Sequence, residues 1–447
     1  MNYLPHTPED IARALETVGL ERIDDLFADL PKSLQKPNLD IPEGLDEVAL
    51  MRHLRGLAAK NKTPDATFLG GGLRQHFIPS VTPHLAMQSE FVTAYTPYQP
   101  EVSQGMLQAT FEYQTMMSEL TGLPVSNASM YDGASSVAEA ALLAVRQTGR
   151  RKVVVSAGVH PESREVLATY TRPLGIEVAE VALTDLITPS VPDIDDAACL
   201  IVQNPNFLGY LEAMPALAER AHNAGALFVA VCDLLSLAVL KAPGEYGADI
   251  AVGDGQTVGN AVNFGGPHFG FMVVTEGLIR QLPGRIVGET TDAEGRRAFV
   301  LTLQAREQHI RRSKAKSNIC SNHQLTALMA AVNLAALGPQ GLRDVATKSV
   351  QSAHLLADKL TGAGLEPLTT KPFFNEFVLR TSGPANDLRH ALAERGLAAG
   401  VPVQASYGLG DAVLLSATEL TTENEMDALV GALQELADQP VLEAAHD

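Results

Sequence analysis

From about residue 125 onward, short apolar runs rich in Val, Ile and Phe alternate with amphipathic segments of roughly 10 to 15 residues, the pattern of strands joined by helical crossovers. VSNAS leads into a helix begun near Gly133, KVVVS precedes one from Pro161, and IEVAEVAL and CLIVQNP read as strands. A helix over about Met214 to Asn223 is followed by LFVAVCD, DIAVG and FGFMVV as further strands. Unbroken β-branched runs mark strands buried on both faces, so a mostly parallel sheet flanked by helices is predicted. After Ser321 come two long helical patterns, QLTALMAAVNLAAL and LRDVATKSVQSAHLLADKL. The alternation then resumes: FFNEFVLR as strand, NDLRHALAERG as helix, VLLSA as strand and TENEMDALVGALQELA as helix, a compact α+β unit with its own small sheet.

The first part of the chain lacks a strand pattern. Thr7, Pro8, Glu9 and Asp10 supply an N-cap, a first-turn proline and acidic residues suited to a helix start, and predict a helix through about Val18. A Pro-rich connector follows, and then a second helix from about Leu45 to Ala59. From Phe68 the stretch FLGGGLRQHFIPS is glycine-rich, TAYTPYQPEVSQG is a loop stiffened by prolines, and Gly105 to Leu120 is an amphipathic helix stopped by Gly122. Three parts are predicted: an N-terminal helical arm (1–65) that wraps onto its own core or a partner, a large α/β domain (66–325) and a small α+β domain (326–447).

Composition narrows the field. With 46% apolar and 19% charged residues the 447-residue chain is an ordinary globular protein. No apolar run approaches the roughly 20 residues that span a bilayer. The mixed, acidic N-terminus fits neither a secretory signal nor a basic transit peptide, so the cytoplasm is expected and a membrane is not. A net charge of −19 disfavours nucleic acid, whose phosphates call for Lys and Arg. Cys199, Cys232 and Cys320 are odd in number and widely spaced, which predicts buried reduced thiols rather than disulfides or a metal site.

Several motifs carry candidate chemistry. NASMYDGASS (127–136) is a small-residue turn entering a helix; Ser129, Ser135 and Ser136 with the backbone amides either bind an anion or simply cap and pack. His160 follows strand KVVVS at the carboxyl edge of the sheet, where ligands gather, and either stacks on a planar ring or caps a helix. Asp233 ends an apolar strand, so its carboxylate either caps the next helix or neutralises a cationic ligand nitrogen. FGGPHFGF (264–271) does not match the dinucleotide-binding glycine pattern. The cluster REQHIRRSKAKSNICSNH (306–323) concentrates Arg306, Arg311, Arg312, Lys314 and Lys316 beside Ser317 and Asn318, suiting a phosphate or an acidic partner surface. Thr93, Tyr95, Tyr98, Gln99, Glu101 and Gln104 crowd one stiff loop, where little entropy is lost on binding.

The order of these motifs is that of an enzyme holding pyridoxal phosphate on a lysine: anion turn, ring-side histidine, strand-end Asp, then a lysine two or three dozen residues on. Yet no lysine lies between Lys241 and Lys314, and Gln256, Thr257 or a neighbour fills the expected slot. An amide or hydroxyl forms no imine with an aldehyde. Either the fold does something else, or it serves a site whose lysine is on another chain.

Across SNASMYDGAS, IVQNPNFLGY, GADIAVGDGQ, FGGPHFGF, LPGRIVGET, LTLQAREQHIRR, KAKSNICSN and KPFFNEF, together with the loop at 93–105, the sequence resembles the glycine dehydrogenase (decarboxylating) family. This is the P-protein of the glycine cleavage system, and the likeness is to subunit 1 of its two-chain form, in order and over essentially the whole length. The resemblance implies pyridoxal-phosphate fold type I with a smaller C-terminal α+β domain. It implies a cofactor bound covalently by subunit 2, not by this chain, and an assembly of two subunits of each kind. It further implies that the complex decarboxylates glycine, releases CO₂ and passes the aminomethyl group to the lipoyl arm of H-protein. On that footing Thr93, Tyr95, Tyr98, Gln99, Lys316, Ser317 and Asn318 are expected to line the partner's site, and Ser135, His160, Asp233 and Gln256 to form a degenerate cofactor cradle. No catalytic residue is expected on this chain alone, and no metal site.

Overall fold

The computed structural model describes residues 5–35, 40–191 and 193–437, and forms two compact units, Met1–Thr63 and Pro64–Asp447. In the first unit, helix α1 (Pro8–Val18) starts in a reciprocal capping box: the Asp10 amide donates to Thr7 Oγ1 (3.2 Å) and the Thr7 amide to Asp10 Oδ2 (2.9 Å). Helix α2 (Glu47–Ala58) is capped by Asp46, which accepts from the Ala49 amide at 2.7 Å. Its apolar residues Val48, Met51, Leu54 and Leu57 are exposed.

The second unit opens with β1 (Ala66–Thr67), the short helices α3 (Val81–Ala86) and α4 (Ser89–Val92), and the long α5 (Gln104–Thr121), which ends on Gly122 in the left-handed region. Its large sheet is built from β2 (Val125–Ser126), β3 (Lys152–Ser156), β4 (Glu177–Val181), β5 (Ala197–Asn204), β6 (Leu227–Cys232), β7 (Ile250–Asp254) and β8 (Gly270–Val274). Helices α6 (Gly133–Thr148), α7 (Pro161–Thr171) and α8 (Met214–Asn223) make the crossovers. The strand order is β2-β8-β7-β6-β5-β3-β4; the five strands from β7 to β4 run parallel, and β8 pairs antiparallel with both β7 and β2. β3, β5 and β6 are buried along almost their whole length, as their unbroken β-branched runs require.

A hairpin of β9 (Ile286–Thr291) and β10 (Arg297–Thr302) follows, then a one-turn helix α9 (Gln308–Arg311). The hairpin was not apparent from the sequence, where its polar outer positions mask the alternation. Helix α10 (Gln324–Gly362) carries both predicted helical patterns, separated by Gly338, whose φ of 64° lies outside helical space, and Pro339. Among the described residues it alone is long and apolar enough to cross a membrane. That break interrupts it, and Ala327, Ala330, Leu334, Leu342 and Ala346 lie in the protein core.

The small sheet has the order β11-β12-β15-β14, all antiparallel, from β11 (Glu366–Pro367), β12 (Glu376–Arg380), β14 (Val401–Pro402) and β15 (Ala412–Ser416). Helices α11 (Ala385–Glu394) and α12 (Glu423–Ala437) and the second half of α10 cover it. The remaining strand, β13 (Leu397–Ala398), pairs in parallel with β1. Residues 66–68 therefore hydrogen-bond to Ala398 and Ser416 of the C-terminal part, a contact the sequence does not reveal because a two-residue strand has no period to read. This pairing sets the start of the glycine-rich run against the small domain, from which it crosses to the edge of the large sheet.

Candidate functional site

At the carboxyl edge of the large sheet His160, Asp233 and Gln256 all hydrogen-bond to one inserted segment of the chain, whereas Ser135 bonds to Asp132 at the start of α6. Residues 70–76 enter from β1 and bring Arg74 to the end of β6. There the guanidinium donates to Asp233 Oδ2 and Glu376 Oε2, each at 2.5 Å, with all three side chains 12% exposed or less. Burial opposes the charge on Arg74, but Glu376 and Asp233 outweigh it and hold the guanidinium above the ordinary arginine range. The other oxygen of Asp233 accepts from Thr257 Oγ1 (2.7 Å) and the Leu235 amide (3.0 Å).

Gln256, one of the residues that fill the stretch where the lysine is expected, is spent on the same segment. Its Oε1 accepts from the Arg74 amide (3.1 Å), and its Nε2 donates to the carbonyls of Arg74 and Asn260, both at 2.9 Å. His160 Nδ1 accepts from the Glu162 amide, so the proton lies on Nε2, which donates to the Gly71 carbonyl at 2.8 Å. The imidazole packs edge-on against Phe207, with centroids 4.9 Å apart. It is both the cap of α7 and a clasp on the inserted segment. Farther along that segment, Glu419 accepts from the Phe77 amide (2.5 Å) and from Ser349 Oγ (2.9 Å), and it pairs with His76 Nδ1 at 2.9 Å.

Glycine at 70 is required by this packing, because a Cβ there would collide with Glu376 Oε1 and approach Ser416 Cβ. Gly70→Ala is expected to cost about 1–3 kcal/mol in chemical denaturation, the usual range for overpacking a closed interior.

The anion-binding reading of the 127–136 turn is not what the geometry delivers. Asp132 caps α6 and accepts from the Ser135 amide at 2.7 Å, Ser135 and Ser136 donate their hydroxyls to the Asp132 carbonyl, and the Gly133 amide donates to Asp254 Oδ2 at 3.1 Å. Carboxylates already occupy the positive end of the helix, and a phosphate dianion there would face two like charges. His268 pairs with Asp254 at 2.7 Å and with the Gly265 carbonyl at 2.9 Å. The Asp254 hydrogen bond is the main cause that raises the His268 pKa above the usual imidazole value, against partial burial. A folded-state pKa above the unfolded one contributes stability that is complete below about pH 6.5 and is lost as pH rises through the folded value. His268→Gln should remove that component, so thermal unfolding of the variant and the parent should differ most below pH 6.5 and converge above the folded pKa.

Pyridoxal phosphate does not fit these residues. The strand-end carboxylate is taken by an internal cation, neither Gln256 nor Thr257 offers an amine and both side chains are hydrogen-bonded within the chain, and the phosphate end is acidic. Of the four residues expected to form a degenerate cradle, His160, Asp233 and Gln256 hydrogen-bond to residues 71–74, and Ser135 bonds to Asp132. Arg74 and Glu376 were missed in the sequence. A glutamate inside the apolar strand FFNEFVLR was the available signal, since a buried charge needs a partner.

The other predicted group assembles separately. Tyr95 Oη and Ser321 Oγ lie 2.8 Å apart, and Arg285 donates Nη2 to Tyr98 Oη (2.7 Å) and Nη1 to the Cys320 carbonyl. The Arg285 guanidinium also stacks over the Tyr98 ring at 5.0 Å and pairs with buried Glu307 at 3.7 Å. The 93–105 loop and the 316–321 turn are therefore joined through one buried arginine. Ser317 donates to Glu139 Oε1 (2.8 Å) and accepts from the Ile319 amide (3.0 Å), fixing the turn from beneath. Burial raises the Glu139 pKa above the ordinary carboxylate range, although Ser317 and Arg146 oppose the shift. Thr93, Tyr95, Tyr98, Gln99 and Asn318 are exposed, and Lys316 and Ser317 are half-buried.

Within the basic cluster, Arg306 is structural: its guanidinium donates to the carbonyls of Leu303, Leu282 and Gly284. Cys199 and Cys232 are buried free thiols, the first pushed up to about 12 by desolvation, whereas Cys320 is exposed because it sits on the turn rather than in a strand. Among the described residues no group of three or more His, Cys, Asp or Glu is arranged to hold a metal.

Comparison with known proteins agrees with this architecture. At the level of fold, the chain resembles a cysteine desulfurase from Thermococcus onnurineus (14% identity, 83% of this chain and 94% of that one, TM-score 0.61). It also resembles an aspartate aminotransferase from Thermus thermophilus (17% identity, 83% and 99%, TM-score 0.56). The fold is pyridoxal-phosphate type I. Much nearer is a crystal structure of glycine decarboxylase (P-protein) of the glycine cleavage system in inhibitor-bound form, at 56% identity over 98% of this chain and 100% of that one, with a TM-score of 0.91. Sequence relatives include the probable glycine dehydrogenase (decarboxylating) subunit 1 of Moorella thermoacetica, 50% identical over 97% of this chain and 99% of the relative. The corresponding protein of Carboxydothermus hydrogenoformans is 49% identical over the same shares. The profile of the glycine cleavage system P-protein matches residues 1–433, and the chain belongs to that family, among its subunit 1 members.

Proposed function

We propose that this chain is the lysine-free half of a two-chain glycine decarboxylase and forms one wall of the active site of subunit 2. In the assembled enzyme, two subunits of each kind, glycine loses its carboxyl group as CO₂ and the aminomethyl group passes to the lipoyl arm of H-protein. Pyridoxal phosphate, held by the lysine of subunit 2, supplies the electron sink. This chain's part is to position and to exclude water. Tyr95, Tyr98, Thr93 and Gln99 on the stiff loop, and Lys316, Ser317 and Asn318 on the turn, present hydroxyl, amide and ammonium groups toward the partner's cofactor and substrate. The cytoplasm is the proposed location.

The observation that carries this reading is the junction at Arg285. Two segments remote in sequence are bolted together with their polar ends exposed, while the chain's own cradle is sealed. An exposed surface held in place by a buried cation suits a site completed by another chain.

Tyr95 provides the test, because it is 77% exposed and its replacement costs little within the subunit. Tyr95→Ala is expected to leave assembly with subunit 2 intact while glycine decarboxylation by the complex falls roughly 10- to 100-fold, the scale of a lost positioning contact. Full turnover with unchanged glycine affinity would favour a scaffold that only stabilises its partner.

A further inference from the structure

We propose that Arg74 is a built-in ligand of the cradle: its guanidinium stands where a cofactor's pyridinium would, excludes pyridoxal phosphate from this subunit, and clamps the large domain to the small one. Loss of a lysine alone does not close such a site. A strand-end aspartate and a helix N-terminus still attract a phosphorylated pyridinium without any covalent bond. Here each of those attractions is answered from within the chain. Asp233 has Arg74, the amides of Gly133 and Ser135 have Asp254 and Asp132, and Gln256 grips the Arg74 backbone by both its amide and its carbonyl.

The inserted segment is held along its length. The Gly71 amide donates to Glu376 Oε1 at 2.7 Å, His160 binds the Gly71 carbonyl, and Glu419 binds the Phe77 amide. Being part of the chain, Arg74 competes at an effective concentration that free cofactor does not match. The fork also spans two domains, since Asp233 follows β6 of the large sheet and Glu376 opens β12 of the small one. A ligand that bridges two domains holds them in one arrangement, and a covalently tethered one does so permanently. This inference rests on the cradle's own geometry and stands whether or not the wall assigned to the partner's site proves right.

The test uses the complex with subunit 2, saturated with pyridoxal phosphate, reduced with borohydride and read by the mass of each chain and by peptide mapping at position 256. An introduced lysine amine condenses with the cofactor aldehyde with loss of water, and hydride reduces the imine to a stable secondary amine. The partner's own adduct serves as the internal control. Gln256→Lys alone is expected to carry no adduct at 256, and Arg74→Ala/Gln256→Lys to carry one. Equal labelling of the single and double variants would overturn the proposal, as would an assembled double variant that stays unlabelled at 256. A second measurement needs no variant. In the unaltered complex, with its partner already loaded, hydrogen exchange at the Gly71 and Arg74 amides should be slow and the same with and without excess pyridoxal phosphate. A change at those amides on adding cofactor would show the cradle open and sink the idea.

Discussion

Replacing Arg74 by Met is expected to lower the unfolding free energy of the subunit by about 3–5 kcal/mol, because Asp233 and Glu376 would remain buried with no cation between them. Methionine keeps much of the volume, so the loss measures charge compensation rather than a cavity. The control is Arg74→Met/Asp233→Asn/Glu376→Gln. Removing both uncompensated carboxylates should restore a large part of the stability, since a buried ion triad often breaks even against neutral replacements. Urea or thermal denaturation of the parent and the two variants decides the matter. If the single variant is as stable as the parent, the fork is not what holds residues 70–76.

The second large effect is expected at Arg285. Arg285→Lys keeps the charge but loses the planar fork, and an ammonium does not reach Tyr98 Oη, the Cys320 carbonyl and Glu307 together. The complex should still assemble. Its turnover should fall about 10- to 100-fold, because misplacement of a site wall by about 1 Å costs on that order. Glycine decarboxylation, measured beside the state of assembly, separates the two. Unchanged turnover would mean that the loop and the turn hold their positions without the arginine.

Much of this architecture was written in the chain's periodicities. β3, β5 and β6 are unbroken apolar runs because each is covered on both faces, and α1 and α5 carry legible start and stop residues. β1 and the β9–β10 hairpin were not legible. The first is too short to show a period, and the second is half polar. For the site, strand ends and helix starts have local signatures, and three residues picked out by them, His160, Asp233 and Gln256, are brought together on one inserted segment. That segment was hidden, since the ion pairs of Arg74 join positions 159 and 302 residues apart and no local pattern records them. Arg285 escaped for the same reason: no local pattern in LPGRIVGET marks it, and only tertiary structure reveals it 2% exposed.

A subunit stabilised by a dissociable coenzyme gains that stability only as fast as free coenzyme is supplied, because the gain scales with the logarithm of its concentration. With the cradle closed as proposed, residues 70–76 would free this subunit from that dependence. In a cell short of vitamin B6 it should fold and persist undiminished, ready to receive a newly made partner before that partner has been charged.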